Sequence, residues 1–185
     1  LTHRLCYCMI GKFGQRGVLG MSCGVVYFSR DNNTKAGAEY LASVKYAVLV
    51  RLVEEKPCSF LGGVWKALFR KASRLTGRPW EEVRDCEELY LLTPVWAGSS
   101  TPAMNAFLQK ADFTGKQVTI ITFQADPNLS GSGKTHARIK AVVEQKGGRV
   151  AAAYACHGGR LGVFAGKDYI EEQIMRKLQP VNNTN

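Results

Sequence analysis

The sequence predicts an α/β domain in which five parallel strands form a doubly wound sheet with helices on both faces. Three observations predict it. Short apolar runs recur along the chain, each the length of a strand buried on both faces. Stretches with apolar residues at helical spacing separate them, as crossover connections require. The runs end in turns of Ser, Asn, Thr, Gly and Pro, which cap the helices that follow.

The first strand is placed at Gly24 to Phe28, where V-V-Y-F stops abruptly at Ser29 to Asn33. A helix follows from about Asn33 to Ser43, with Ala36, Tyr40 and Leu41 facing inward, and then a strand over Tyr46 to Val53. Pro57 to Arg84 has no strand signal but carries Phe60, Leu61, Val64, Trp65, Leu68 and Phe69 on one helical face. The third strand starts at Glu88 and is stopped by a turn from Pro94 to Gly98. Ser99, Ser100, Thr101 and Pro102 then open a helix whose buried face holds Met104, Phe107 and Leu108. Gln117 to Phe123 is a fourth strand, and a helix at about Lys134 to Lys146 ends in Gly147-Gly148. Arg149 to Cys156 is the last strand and Lys167 to Leu178 the last helix.

Two of the turns read as parts of one ligand site. A strand feeding a helix through Ser29 to Thr34 leaves unpaired N–H groups at the helix start, and the helix dipole reinforces them, so the turn suits a phosphate. Ser29 and Thr34 add hydroxyls, and the N–H groups from Arg30 to Lys35 face the anion. The second turn, Pro94, Val95, Trp96, Ala97 and Gly98, carries an indole at the same sheet edge, able to stack on an aromatic heterocycle.

Taken together, Y-F-S-R-D-N-N-T-K, T-P-V-W-A-G-S-S-T-P-A-M and G-K-Q-V-T-I-I-T-F resemble the motifs of the flavodoxins. The resemblance runs from Ser22 to about Leu178. It implies strand order 2-1-3-4-5 and non-covalent binding of flavin mononucleotide (FMN). The first loop (Ser29, Arg30, Asp31, Asn32, Asn33, Thr34) is expected to hold the phosphate. The loops of Pro94 to Gly98 and of Phe123, Gln124, Ala125 and Asp126 are expected to flank the ring, Trp96 by stacking and the second loop through its backbone. Two positions depart from the family pattern, in which a hydroxyl residue and a glycine precede the Asn-Thr pair. Asn32 tolerates a positive φ. Asp31 would repel a phosphate, so it is expected to cap the helix or turn outward.

The resemblance implies an electron carrier between redox partner proteins. Two other readings stay open: an FMN-dependent NAD(P)H:quinone-type reductase, and a flavin-free interaction domain, which Asp31 brings into consideration. Monomer and dimer are both compatible with the chain. Its formal charge of +10 departs from the acidic habit of many flavodoxins and suits an acidic partner. The cations are dispersed, only Lys66 to Arg78 forming a denser group, which reads as a solvated helical face more than a nucleic-acid groove.

The remaining signals limit other chemistries. Six cysteines without zinc-ligand spacing, four of them in or beside apolar segments, read as reduced core thiols and a cytoplasmic setting. No apolar run reaches membrane-span length. Leu129 to Thr135, L-S-G-S-G-K-T, ends like a Walker A loop, but Asn128 stands where its first glycine belongs. Lys134 remains near the expected flavin edge. His157, after the last strand, reads as a turn histidine with proton transfer as the rival role. No metal site or nucleophilic triad is visible. Leu1 to Gly20, with Arg4, Lys12 and Arg16 and no acid, is expected to be a disordered or non-native extension before a start at Met21, with a basic binding arm as the rival. The domain then spans 21–179, followed by a tail at 180–185.

Overall fold

The computed structural model describes residues 22–56 and 71–178. The expected extension and start at Met21, the helical face from Phe60 to Phe69, Cys6, Cys8 and Cys58, and the tail at 180–185 lie outside those residues.

Strands β1 (Cys23–Tyr27), β2 (Val48–Arg51), β3 (Glu88–Pro94), β4 (Gln117–Gln124) and β5 (Arg149–His157) form one all-parallel sheet of order β2-β1-β3-β4-β5. Helices α1 (Asn33–Lys45), a short α2 (Pro79–Glu82), α3 (Pro102–Lys110), α4 (Ser132–Gln145) and α5 (Lys167–Leu178) complete the described elements. The fold class and strand order are those expected from the sequence. The sheet's pleat sorts the core into two layers. Val25, Tyr27, Ile121 and Phe123 pack with Leu41 of α1 and Ile170 and Ile174 of α5. Val26, Phe28, Leu91 and Ile120 pack with Met104 and Phe107 of α3 and Ile139 and Val143 of α4. Burying a side chain such as Phe107 or Ile120 contributes roughly 1.5–3 kcal/mol against the entropy of ordering it.

Element ends moved in three places, each for a local reason. The helix expected to end at Ser43 runs to Lys45 and stops because Tyr46 takes a left-handed conformation, φ 52°, with its N–H bonded to the Ala42 carbonyl. Tyr46 is therefore 97% exposed and outside β2, which is four residues instead of eight. The helix expected from Lys134 starts two residues earlier, at Ser132, with left-handed Gly131 as its cap. Of the segment expected to be helical up to Arg84, the described part holds only α2, and before it Leu75 bridges to Glu54.

Close packing of α1 on α5 depends on Gly37. A Cβ there would lie 2.8 Å from the tips of both Ile174 and Phe123. Gly37→Val is expected to destabilise by about 1–3 kcal/mol through overpacking. Gly37→Ala should cost less, because its overlap is offset by about 1 kcal/mol of helix propensity. Urea unfolding would show it; equal stability of wild type and Val variant would mean that the two helices separate freely.

Candidate functional site

At the carboxyl end of the sheet the β1–α1 turn, the Trp96 turn and the loops after β4 and β5 surround one cleft. It is lined by Asp31, Asn33, Thr34, Pro94, Val95, Trp96, Phe123, Gln124, Ala125 and the segment from Gly158 to Leu161. Of the residues expected to form the site, Asp31, Asn33, Thr34, Pro94, Val95, Trp96, Phe123, Gln124 and Ala125 meet there. Ser29 and Arg30 line a neighbouring cavity, and Asn32, Ala97, Gly98 and Asp126 line neither.

The β1–α1 turn gathers unpartnered polar groups at the start of α1. Asn32 takes φ 69°, a left-handed conformation that asparagine tolerates where glycine would be the default. Asn33 and Thr34 then start the helix with 2% and 1% of their surface exposed. The hydroxyls of Ser29 and Thr34 are buried without a hydrogen-bond partner. Leaving each unmade costs about 1–3 kcal/mol, so both hydroxyls are open to an external partner, water or ligand. Asp31 takes the capping pose expected of it: its Oδ1 accepts from the Asn33 N–H at 3.1 Å. That N–H is one of the donors a bound anion would use.

Asn33 also ties the turn to the loop after β5. Its Nδ2 donates to the Val163 carbonyl and its Oδ1 accepts from the Ala165 N–H, both at 2.8 Å. This clamp draws the loop over the cleft, whose enclosed space is only about 40 Å³.

The Trp96 turn is a tight reversal. Trp96 and Ser99 exchange backbone hydrogen bonds of 2.9 and 3.0 Å, and the two residues between them, Ala97 and Gly98, have φ of 48° and 68°. Positive φ at both central positions is the geometry of a type I′ turn. Gly131 packs against it so closely that a Cβ would come within 3.3 Å of the Gly98 Cα, and Arg138 donates to the Gly98 carbonyl at 2.9 Å. The Trp96 side chain is 8% exposed. It meets Phe28 edge to face at 5.8 Å and has the Arg30 guanidinium 6.0 Å from its ring, so the indole is a wall of the cleft rooted in the core.

The end of β4 and the start of the loop after it are tied to their neighbours by hydrogen bonds. The carbonyls of Phe123, Gln124 and Ala125 accept from Val95 N–H, Gly158 N–H and His157 Nε2. Contacts from this loop to a ligand then fall to its N–H groups and to the Gln124 amide, whose Nε2 is buried without a partner. Asp126 accepts from the Asn128 and Ser130 N–H groups, and the Ser130 side chain above all holds its carboxyl below the usual range. His157 is oriented on both nitrogens. With Nε2 donating to Ala125, Nδ1 accepts from the Tyr169 hydroxyl at 2.5 Å. Its role is to brace the loop, which its sequence position alone did not reveal.

The Walker-like segment enters α4, with Thr135 fully buried and its hydroxyl donating to the Gly131 carbonyl, while Lys134 points to solvent. Of its glycines, Gly131 packs against the Trp96 turn. Among the described residues no group of three or more His, Cys, Asp and Glu is placed to hold a metal. Cys23, Cys86 and Cys156 are free, and burial pushes the first up to about 11 and the last to about 12 from an ordinary 9.0, so they stay protonated at neutral pH. A folded-state value raised above the unfolded one gives stability that is complete below the unfolded value and lost as pH rises toward the folded one. Stability should therefore decline between about pH 9 and 12, and Cys156→Ala should flatten that decline. Urea unfolding at pH 8 and 11 checks it; an unchanged pH slope would assign the decline to other groups.

No protein-family model and no curated protein sequence matches the chain. Solved structures do match its shape. A flavoprotein in complex with FMN from Lactobacillus acidophilus aligns with TM-score 0.58 and 14% identity over 74% of this chain and 93% of its own. A flavodoxin, WrbA-like protein from Agrobacterium tumefaciens aligns with TM-score 0.54 and 16% identity, over 86% of this chain and 100% of its own. Oxidised flavodoxin 1 from Bacillus cereus gives 0.54 and 12%, over 84% and 93%. The parallel sheet of order 2-1-3-4-5, its helical layers and these alignments together give the chain the flavodoxin-like fold.

Proposed function

We propose that this chain binds FMN without a covalent bond and serves as an electron carrier between redox proteins. The observation that carries the reading is the set of buried polar atoms without partners, Ser29 Oγ, Thr34 Oγ1 and Gln124 Nε2, gathered at the sheet edge where the fold binds ligands. The first two fit a phosphate and the third a carbonyl of the flavin's pyrimidine edge. Ser29, Thr34 and the N–H groups of the α1 start would hold the phosphate, and Trp96 would flank the ring. His157 and Tyr169 keep the Ala125 segment in place. Bound there, FMN would supply one- and two-electron chemistry, while the chain fixes its position and excludes water.

The phosphate end offers two unpartnered hydroxyls and a helix start, with the Asp31 carboxylate on one of the donors that a phosphate would take. The ring end needs the loop from Gly158 to Gly166 to draw back, since the enclosed space is smaller than a three-ring heterocycle. Gly159, Gly162 and Gly166, all at positive φ, give that loop its backbone freedom. In that loop Leu161, Val163 and Phe164 are 67%, 51% and 46% exposed, between Arg160 and Lys167. An apolar patch with a basic rim beside the cleft suits a partner with an acidic surface. The buried protonated thiols suit a reducing compartment such as the cytoplasm, and no described helix is long and apolar enough to cross a membrane.

The test is the visible spectrum of the purified protein, followed by titration of the flavin-stripped protein with FMN. Absence of flavin absorption together with no FMN binding overturns the reading in favour of a flavin-free interaction domain. Steady NAD(P)H consumption with a quinone would make the chain a reductase instead of a carrier.

A further inference from the structure

Beside the Trp96 turn, a groove of about 290 Å³ lies between α3 and α4. None of its lining residues lines the FMN cleft, so the two sites are separate and the groove stands apart from the flavin reading. Its floor is apolar. Leu108 of α3 and Ile139 of α4 are core residues, Val142 packs against that core, and Ala141 is exposed beside them. Arg138 is the one charged residue that lines the groove, and no acid does. Its Nη1 donates to the Gly98 carbonyl at 2.9 Å, which sets the guanidinium at the end of the groove formed by Ser99. Arg138 is half-buried and makes no other hydrogen bond and no ion pair among the described residues. A neutral carbonyl occupies one N–H of the guanidinium and balances none of its charge. The donors that remain match the two oxygens of a carboxylate, and partial removal from water strengthens the attraction.

We infer that this groove binds a small organic acid, with its carboxylate on the Arg138 guanidinium and a short apolar body over Leu108, Ile139 and Val142. Charge and size select that class. A single cation matches one carboxylate, whereas a phosphate dianion would exceed it and leave the apolar floor uncovered. From Arg138 to Val142 the helix rises about 6 Å, room for a single ring or a short branched chain and too little for a nucleotide.

The experiment is calorimetric titration of the full-length protein with phenylacetate, phenylacetamide and acetate, for wild type, Arg138→Gln and Ala141→Phe. Phenylacetate should bind wild type with a dissociation constant below about 1 mM. The amide, which keeps the ring without the charge, and acetate, which keeps the charge without the ring, should each bind at least tenfold more weakly. Arg138→Gln should remove the advantage of the acid over the amide. Ala141→Phe fills the groove from an exposed position and leaves Arg138 in place, and it should weaken phenylacetate at least tenfold. Thermal unfolding of each variant confirms that it is folded; should Arg138→Gln lose its fold together with its bond to Gly98, Ala141→Phe carries the test. Absence of phenylacetate binding, or equal binding of acid and amide, overturns the assignment. So does phenylacetate binding that the folded variants keep, which would place the acid elsewhere on a basic surface. Acetate binding as tightly as phenylacetate would reduce the groove to a bare anion contact and overturns it too.

Discussion

Trp96→Ala is expected to destabilise the protein by about 3–5 kcal/mol, the range for emptying a large aromatic site in a packed core. The indole is 8% exposed and stands edge to face against Phe28 at 5.8 Å, so its removal opens a cavity directly beneath the cleft. FMN binding should weaken by about 1–3 kcal/mol as well, through lost stacking and burial. Trp96→Phe separates the two effects. It refills most of the core volume and keeps a flat ring, so it should recover most of the stability while remaining weaker than wild type toward FMN. Urea unfolding and flavin fluorescence read both quantities. A loss below 1 kcal/mol in the alanine variant would mean that the indole is not rooted in the core, and unchanged flavin quenching would place it away from the ring.

That double role marks what the sequence could and could not show. The run V-V-Y-F followed by S-R-D-N-N-T exposes β1, its turn and the start of α1, because strand burial and helix capping are both local. Strand order came from the resemblance, since periodicity carries no information about which strands are neighbours. Trp96 was legible as a turn residue at the ligand edge, but its contact with Phe28 joins residues 68 positions apart and appears only when β1 and β3 pair. The Asn33 clamp on Val163 and Ala165 spans still more chain, and no pattern around Asn33 announces it. Tyr46 misled in the opposite direction, its aromatic character signalling strand where a left-handed helix cap was needed.

Asp31→Asn is expected to strengthen FMN binding by at least tenfold and to leave riboflavin, which lacks the phosphate, within about threefold. The carboxylate occupies the seat in part: its Oδ1 takes the Asn33 N–H, and the residue lines the cleft that the phosphate would enter. Capping and facing the phosphate are therefore one pose, and an incoming dianion must displace a unit of like charge from a donor it needs. Even at the effective dielectric of a protein surface, two such charges about 5 Å apart repel by several kcal/mol, from which solvent exposure and side-chain rotation subtract. Asparagine keeps an acceptor for the Asn33 N–H, so the helix start stays capped and stability should change by less than about 1 kcal/mol. The gain should also shrink as salt is added, because screening already relieves the wild type. Titration of both flavins at low and high ionic strength decides it. Equal gains for FMN and riboflavin would show that Asp31 acts through the shape of the turn, and no gain for either would show that the carboxylate swings clear at no cost when the phosphate arrives.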